Sequence, residues 1–241
     1  MLKASINLIK ELKKQKHENS SLLFLDNIKI IKDALGYGLN PKYIFVEDEK
    51  LNTWGDSCPV YKVDRKTIEQ LSDSKTPQGV VCVLEYIQDI VEVPKTNFLV
   101  LDRLQDPGNV GTLIRTATAC GFEYIFLIDS VNICNSKMIR SSVGTIFKSK
   151  VFSLKMSEFI DFAKKNKLNL VKTDMEGKNI FDISFSSPVG VVIGNEGQGV
   201  CDEISSLCAH CVKIPMKEGV ESLNAAVSGS IIMYQIAKNN F

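Results

Sequence analysis

Long apolar runs are missing from this 241-residue chain. None reaches the roughly 18 residues that a membrane-spanning helix needs. Met1 to Lys16 is a lysine-rich amphipathic stretch without the apolar core of a secretory signal. Both absences lead us to expect a soluble protein with no membrane partner, located in the cytoplasm. Histidine is nearly absent, with two residues, so a histidine-based triad has little support. His17 lies in a charged stretch and receives no role. The G-x-S-x-G nucleophile elbow is also absent. Arginine supplies only 4 of 29 basic residues, so each arginine asks for a reason. What remains is ordinary: 44% hydrophobic and 24% charged residues. That excludes a chain disordered throughout, a collagen-like repeat and a small disulfide scaffold. The length suits one large domain or two small ones.

The seven cysteines are odd in number and scattered, as expected of reduced thiols packing as small apolar groups. Cys201, Cys208, His210 and Cys211 contain one C-x-x-C. No second one follows, and strand alternation would put Cys211 and His210 on opposite faces. No metal site is expected.

The net charge of +1 hides an uneven distribution. Residues 137–172 carry nine basic and two acidic side chains, a local +7. Such a stretch can attract phosphates; a solvated lysine-rich surface is the plain alternative.

Along the chain, apolar blocks alternate with helical patterns. Helices are expected over Ser5 to Lys16, Asn27 to Leu35 and Asp64 to Leu71. Strands are expected at Leu22 to Leu25, Lys42 to Val46, Val60 to Val63 and Val80 to Tyr86. Together they make a small α/β unit. Residues 87–97, with Pro94, read as a connector. Beyond it the pattern predicts strands at Phe98 to Leu101, Tyr124 to Ile128, Leu168 to Val171, Val189 to Ile193 and Cys211 to Ile214. Helices are expected at Gly108 to Cys120, Ser136 to Ser142, Ser157 to Lys165, Cys201 to Leu207 and Leu223 to Lys238. This alternation implies a parallel sheet, and the fully apolar Val189 to Ile193 suits its interior.

Three segments carry chemistry. In residues 101–122, LDRLQDPGNVGTLIRTATACGF, a strand ends at an Asp106-Pro107-Gly108 turn, and Asn109 can cap the following helix. Gly108, Gly111 and Arg115 fall at i, i+3 and i+7 and so share a face. Small residues below an arginine let a ligand approach, and the guanidinium is a fork for phosphate. In residues 189–200, VGVVIGNEGQGV, an apolar strand enters a loop with Gly194, Gly197 and Gly199 around Glu196. The spacing is neither G-x-G-x-x-G nor a P-loop, which argues against dinucleotide and nucleoside-triphosphate sites. In residues 214–235, IPMKEGVESLNAAVSGSIIMYQ, Ser222 and Asn224 stand where a helix begins. Plain N-capping is the alternative there. The small residues Ala225, Ala226, Ser228, Gly229 and Ser230 permit close backbone packing.

In this order, the three segments resemble the SpoU/TrmH family of RNA 2′-O-ribose methyltransferases. Asp106-Pro107-Gly108-Asn109-Val110-Gly111 with Arg115, Gly194-Asn195-Glu196-Gly197-Gln198-Gly199, and Ile214-Pro215-Met216 with Glu221-Ser222-Leu223-Asn224 carry the resemblance, over roughly residues 98–238. Thr76-Pro77-Gln78-Gly79 resembles the end of the family's N-terminal domain. The resemblance implies an RNA substrate-binding domain over 1–90, a linker over 91–97 and a methyltransferase domain over 98–241. The latter would be a parallel α/β sheet tied in a deep trefoil knot. A homodimer, S-adenosylmethionine as cofactor and an RNA partner are implied as well. Asn109, Arg115, Glu196, Ser222 and Asn224 would form the catalytic neighbourhood. Gly194, Ile214 and Leu223 would contact the cofactor, and Lys137, Arg140 and Ser141 the RNA. Some readings of the family make the arginine the general base. A guanidinium keeps its proton, which favours electrostatic stabilisation and leaves the base open. Where the family often has a Glu-Gly pair, this chain reads Phe24-Leu25-Asp26-Asn27, so residues 1–86 match loosely. The two-domain layout leans towards ribosomal RNA over transfer RNA. A non-catalytic RNA-binding module is the opposing class, and the presence of Asn109, Arg115 and the Glu-Ser-Leu-Asn loop speaks against it.

Overall fold

A computed structural model describes residues 2–18, 21–48, 54 and 58–238; the side chain of His17 lies outside this description. Two compact units result: residues 1–87 with 134–140, and residues 88–133 with 141–241.

The first unit begins with β1 (Leu2–Lys3), α1 (Ile6–His17), β2 (Leu22–Leu25) and α2 (Ile28–Gly36). It continues with β3 (Pro41–Val46), β4 (Val60–Lys62), α3 (Arg65–Leu71) and β5 (Val80–Glu85). Each helix starts at a side-chain cap, as local sequence demands. Ser5 accepts from the Leu8 N–H, Asn27 from Lys29 and Ile30, and Asp64 from Thr67. The sheet order is β1-β4-β3-β5-β2, with parallel pairs β1/β4 and β4/β3 and antiparallel pairs β3/β5 and β5/β2. Leu12, Phe24, Phe45, Ile68, Leu71, Val81 and Val83 make the core between this sheet and helices α1 and α3.

In the second unit β6 (Phe98–Asp102) leads to α4 (Pro107–Ala119), followed by β7 (Tyr124–Ile128). The chain then forms α5 (Ser136–Ser141), most of which belongs to the first unit. There the Arg140 guanidinium meets the buried Asp26 carboxylate at 3.5 Å, and Ser136 and Lys16 both donate to Asp73. Burial raises the Asp73 carboxyl, but the bonds from Lys16 and Ser136 outweigh it and hold the group below its ordinary range.

The second unit resumes with β8 (Lys150–Leu154), α6 (Met156–Asn166), β9 (Leu170–Asn179) and β10 (Gly190–Ile193). It closes with α7 (Asp202–Ser205), β11 (Cys208–Lys213) and α8 (Ala225–Ala237). Its sheet order is β11-β9-β10-β6-β7-β8, and every pair is parallel. The interior strands β6, β7 and β10 are buried on both faces, which is why they read as continuous apolar runs. Phe126 packs against Phe98, Phe152, Phe159 and Phe162 at centroid distances of 5.4–5.9 Å.

Four sequence expectations change. β8 is not among the expected strands, because the lysine and serine of Lys-Val-Phe-Ser-Leu break up the apolar run of this edge strand. β9 extends past Val171, but residues 173–177 leave the ladder: Cys211 pairs with Lys172 and Val212 already with Lys178. The strand expected from Cys211 begins at Cys208. Asn109 does not cap α4; Asp106 does, accepting from the Gly108 and Asn109 N–H groups. The small residues of α8 do allow close packing. A Cβ on Gly229 would stand 2.4 Å from Leu113 Cδ2 of α4 and 3.2 Å from Ile193 of β10.

All seven cysteines are free thiols. Burial pushes every one of them up, Cys120 and Cys134 to about 11 and Cys208 to about 12. Among the described residues no group of three or more His, Cys, Asp or Glu side chains is arranged to hold a metal. His210 instead lies edge-on to Phe185, and Cys208 Sγ donates to the Ile204 carbonyl.

Candidate active site

The site is built where strands of the second unit end. Because Asp106 takes the capping role, the side chain of Asn109 in the first turn of α4 is released for other work. Its Nδ2 donates to Glu196 Oε1 at 3.0 Å, and its Oδ1 accepts from Asn224 Nδ2 at 3.0 Å. The amide orientations follow from chemistry. Asn224 spends its oxygen capping α8, accepting from the Ala226 and Val227 N–H groups, so only its amino group faces Asn109. Asn109 must then present oxygen to Asn224 and nitrogen to Glu196, whose carboxylate only accepts. Both readings of Asn224, cap and site residue, therefore hold at once. Three residues from three separate segments make one directional hydrogen-bond chain.

The loop carrying Glu196 is closely organised. Asn195 Oδ1 accepts from the Gly197 and Gln198 N–H groups, and the Gly199 N–H returns to the Asn195 carbonyl. Behind the loop lies Asp102, fully buried at the end of β6. It accepts from Arg103 Nε at 2.9 Å and from the Cys201 N–H at 2.7 Å. The guanidinium, raised above its ordinary range first by its bond to Asp102, reaches forward to Gln198 Oε1 at 3.0 Å and the Gly199 carbonyl at 3.2 Å.

Beside this loop is a cleft of about 410 Å³. Val212, Ile214, Met216, Leu223 and Ile232 supply apolar walls; Asp174, Glu196, Gln198, Ser222 and Ser228 supply polar ones. Its volume falls in the range of small-molecule pockets, about 300–1,000 Å³.

The structure thus brings Asn109, Glu196 and Asn224 together, and puts Ser222, Ile214 and Leu223 in the cleft wall with Glu196. Gly194 is buried and does not line the cleft. Arg115 is exposed on α4, about 9 Å along the axis from Asn109 at 1.5 Å per residue. No hydrogen bond or ion pair joins it to a described residue. The face it shares with Gly108 and Gly111 runs from half-buried Gly108 through buried Gly111 to open Arg115. Of the residues expected to meet RNA, Lys137 is exposed, Ser141 is half-buried, and Arg140 is engaged with Asp26.

Sequence reasoning missed Asp102, Arg103, Gln198 and the segment Thr173 to Met175, which also lines the cleft. The scarcity of arginine is the signal that points to Arg103. Nothing local marks 173–175, whose departure from the ladder depends on how β11 pairs.

An all-parallel α/β unit with a cleft beyond its strand ends is a small-molecule-binding fold of the open-sheet class. Within that class the chain belongs to the SpoU rRNA Methylase family, whose sequence model matches residues 96–234. An uncharacterized tRNA/rRNA methyltransferase of Synechocystis is 33% identical over 186 residues, covering 75% of this chain and 68% of that protein. The 23S rRNA (guanosine(2553)-2′-O)-methyltransferase RlmP of Bacillus subtilis is 28% identical over 92% of this chain and 91% of its own length. The SpoU methyltransferase AviRb of Streptomyces viridochromogenes, solved in complex with AdoMet, has the same fold, with a TM-score of 0.88 at 23% identity over 98% of each chain.

Proposed function

We propose that this chain transfers a methyl group from S-adenosylmethionine to a ribose 2′-hydroxyl of ribosomal RNA. The observation that carries this reading is the Glu196–Asn109–Asn224 chain beside a cleft of cofactor size. The similarity to RlmP, which spans nearly the whole chain, supports ribosomal over transfer RNA. The cleft suits the cofactor: its lining offers apolar side chains for a heterocycle and polar ones for an amino acid and ribose. Ile214 and Leu223 would line it, with the buried Gly194 shaping the loop above.

When bound, the cofactor supplies an activated methyl group. The protein's part is orientation and charge. Arg115, without a hydrogen-bond or ion-pair partner among the described residues, binds the adjacent phosphate and stabilises the alkoxide that develops as the hydroxyl loses its proton. Asn109 holds the carboxylate of Glu196 in place and orients the hydroxyl. Ser222 and Asn224 shape the wall beside it.

Residues 1–90, which hold most of the first unit, act as the RNA substrate-binding domain, 91–97 as linker, and 98–241 as the catalytic domain, with Lys137, Arg140 and Ser141 meeting RNA. A knotted C-terminal thread is supported by the β11-β9-β10-β6 order and by α8 lying against α4 and β10, where Thr116 and Ser230 hydrogen-bond. A homodimer is supported by exposed Val220, Val227 and Tyr234 in and before α8. A cytoplasmic location is in keeping with the described residues, none of which forms a helix long and apolar enough to cross a membrane.

Purified protein, labelled S-adenosylmethionine and size-fractionated bacterial RNA test the reading. Alkali-resistant label in large ribosomal RNA is expected. Label in transfer RNA would overturn the substrate, and failure to bind the cofactor would overturn the activity.

Asn109→Ala removes the middle of the hydrogen-bond chain. Turnover is expected to fall by about 10²-fold, the cost of a small misplacement, with the KM for cofactor within about twofold. Steady-state kinetics check this; an unchanged kcat would remove Asn109 from the site.

Lys164 and Lys165 are exposed on α6 and have no ion-pair partner among the described residues. Lys164/Lys165→Glu is expected to weaken RNA binding most at low salt. The slope of log affinity against log salt should flatten by about one per lysine. A salt-independent loss would count against a basic RNA track.

A further inference from the structure

Arg103 is one of four arginines and takes no part in the methyl-transfer chemistry. Yet its backbone is held in the left-handed region at φ 57°, an unfavourable conformation for a long side chain. Three contacts hold it there. Its N–H donates to the Ile128 carbonyl, its carbonyl accepts from Asn195 Nδ2 at 3.0 Å, and its guanidinium pairs with buried Asp102. Two of the remaining guanidinium hydrogens reach Gln198 Oε1 and the Gly199 carbonyl. Asp102 meanwhile accepts the Cys201 N–H at the end of the loop. The pair therefore grips residues 195, 198, 199 and 201, on both sides of Glu196.

We infer that Asp102 and Arg103 form a clamp that sets the conformation of the 195–201 loop, and through it the cofactor affinity of the cleft and the placement of Glu196. These are positioning residues; neither lines the cleft, whereas Asn195, Gln198 and Gly199 do. The loop half of the inference stands on geometry alone, and the cofactor half rests on the proposed methyl transfer from S-adenosylmethionine. The fork is the essential feature. One planar guanidinium bonds a buried carboxylate behind and two loop acceptors in front, which a single ammonium cannot do.

The test separates fork from charge. Arg103→Lys keeps a cation for Asp102 and is expected to leave the melting temperature nearly unchanged, while cofactor affinity by titration calorimetry falls about tenfold, about the loss of one charge-assisted hydrogen bond. Arg103→Ala is expected to lose both. Amide exchange in the cofactor-free protein should speed up at 195–201 in both variants and stay unchanged in the β7 amides. Combining Arg103→Lys with Gln198→Ala should weaken binding no further than the product of independent effects and, if the fork acts through Gln198, by less. Wild-type cofactor affinity in Arg103→Lys, or unchanged exchange at 195–201, would overturn the clamp. If the wild-type chain bound no S-adenosylmethionine, the functional reading would fall, and the exchange data would still decide the clamp.

Discussion

Arg115→Ala is expected to slow methyl transfer by about 10²- to 10³-fold, the usual cost of removing one donor from a developing oxyanion. The fold should survive. Arg115 is exposed, makes no ion pair or hydrogen bond with a described residue, and sits inside α4, where alanine is the better helix former. The melting temperature should stay within the small range typical of surface substitutions, about 0.5 kcal/mol in stability. Single-turnover rates on saturating RNA, beside a thermal melt, check both halves. A variant as fast as wild type would end the role assigned to Arg115. A rate loss matched by unfolding would make its contribution structural.

Gly194→Ala should damage the site from the opposite direction, by steric force. An added Cβ would lie 2.2 Å from both the Gly199 carbonyl carbon and the Val200 nitrogen. These are backbone atoms, so no rotamer change relieves the clash. The loop must move, and it carries Glu196 away from Asn109 and unseats the Arg103 bond to the Gly199 carbonyl. Stability is expected to drop by about 1–3 kcal/mol, as for overpacked cores, and cofactor binding to weaken more than tenfold. Gly197→Ala is the internal control. Its Cβ would meet only Asn195 Oδ1, at 3.6 Å, an ordinary contact. Thermal melts and cofactor titrations of the two variants should diverge sharply. Equal tolerance would show that the loop is softer than its hydrogen bonds imply.

Local signals account for the elements legible in the sequence. Ser5, Asn27 and Asp64 announce their helices because each can cap only the segment on its C-terminal side. The runs that form β6, β7 and β10 stand out because both faces of the sheet are covered. The motif residues around 109, 196 and 224 were legible as a set through family resemblance. Their connection was not: Asn109 and Glu196 are 87 positions apart, and only the β6–β10 pairing brings them to one edge. Asp106 and Asn109 are both competent caps, and composition cannot say which one the turn selects. That residues 134–140 group with the first unit depends on Asp26 and Asp73, residues with no sequence relation to that segment.

The seven raised thiols have a practical consequence. At a pKa near 11, only about one Cys120 or Cys134 thiol in ten thousand is ionised at neutral pH, so alkylating reagents find almost no nucleophile at these two positions. Cys58, Cys82 and Cys134 belong to the first unit, and Cys120, Cys201, Cys208 and Cys211 to the second. Only Cys82 in the first unit and Cys120 in the second are buried, so reaction at these two waits on local opening of their own unit. Each unit thus carries one buried chemical clock, Cys82 or Cys120, and peptide mapping after brief alkylation reads how long that unit stays shut.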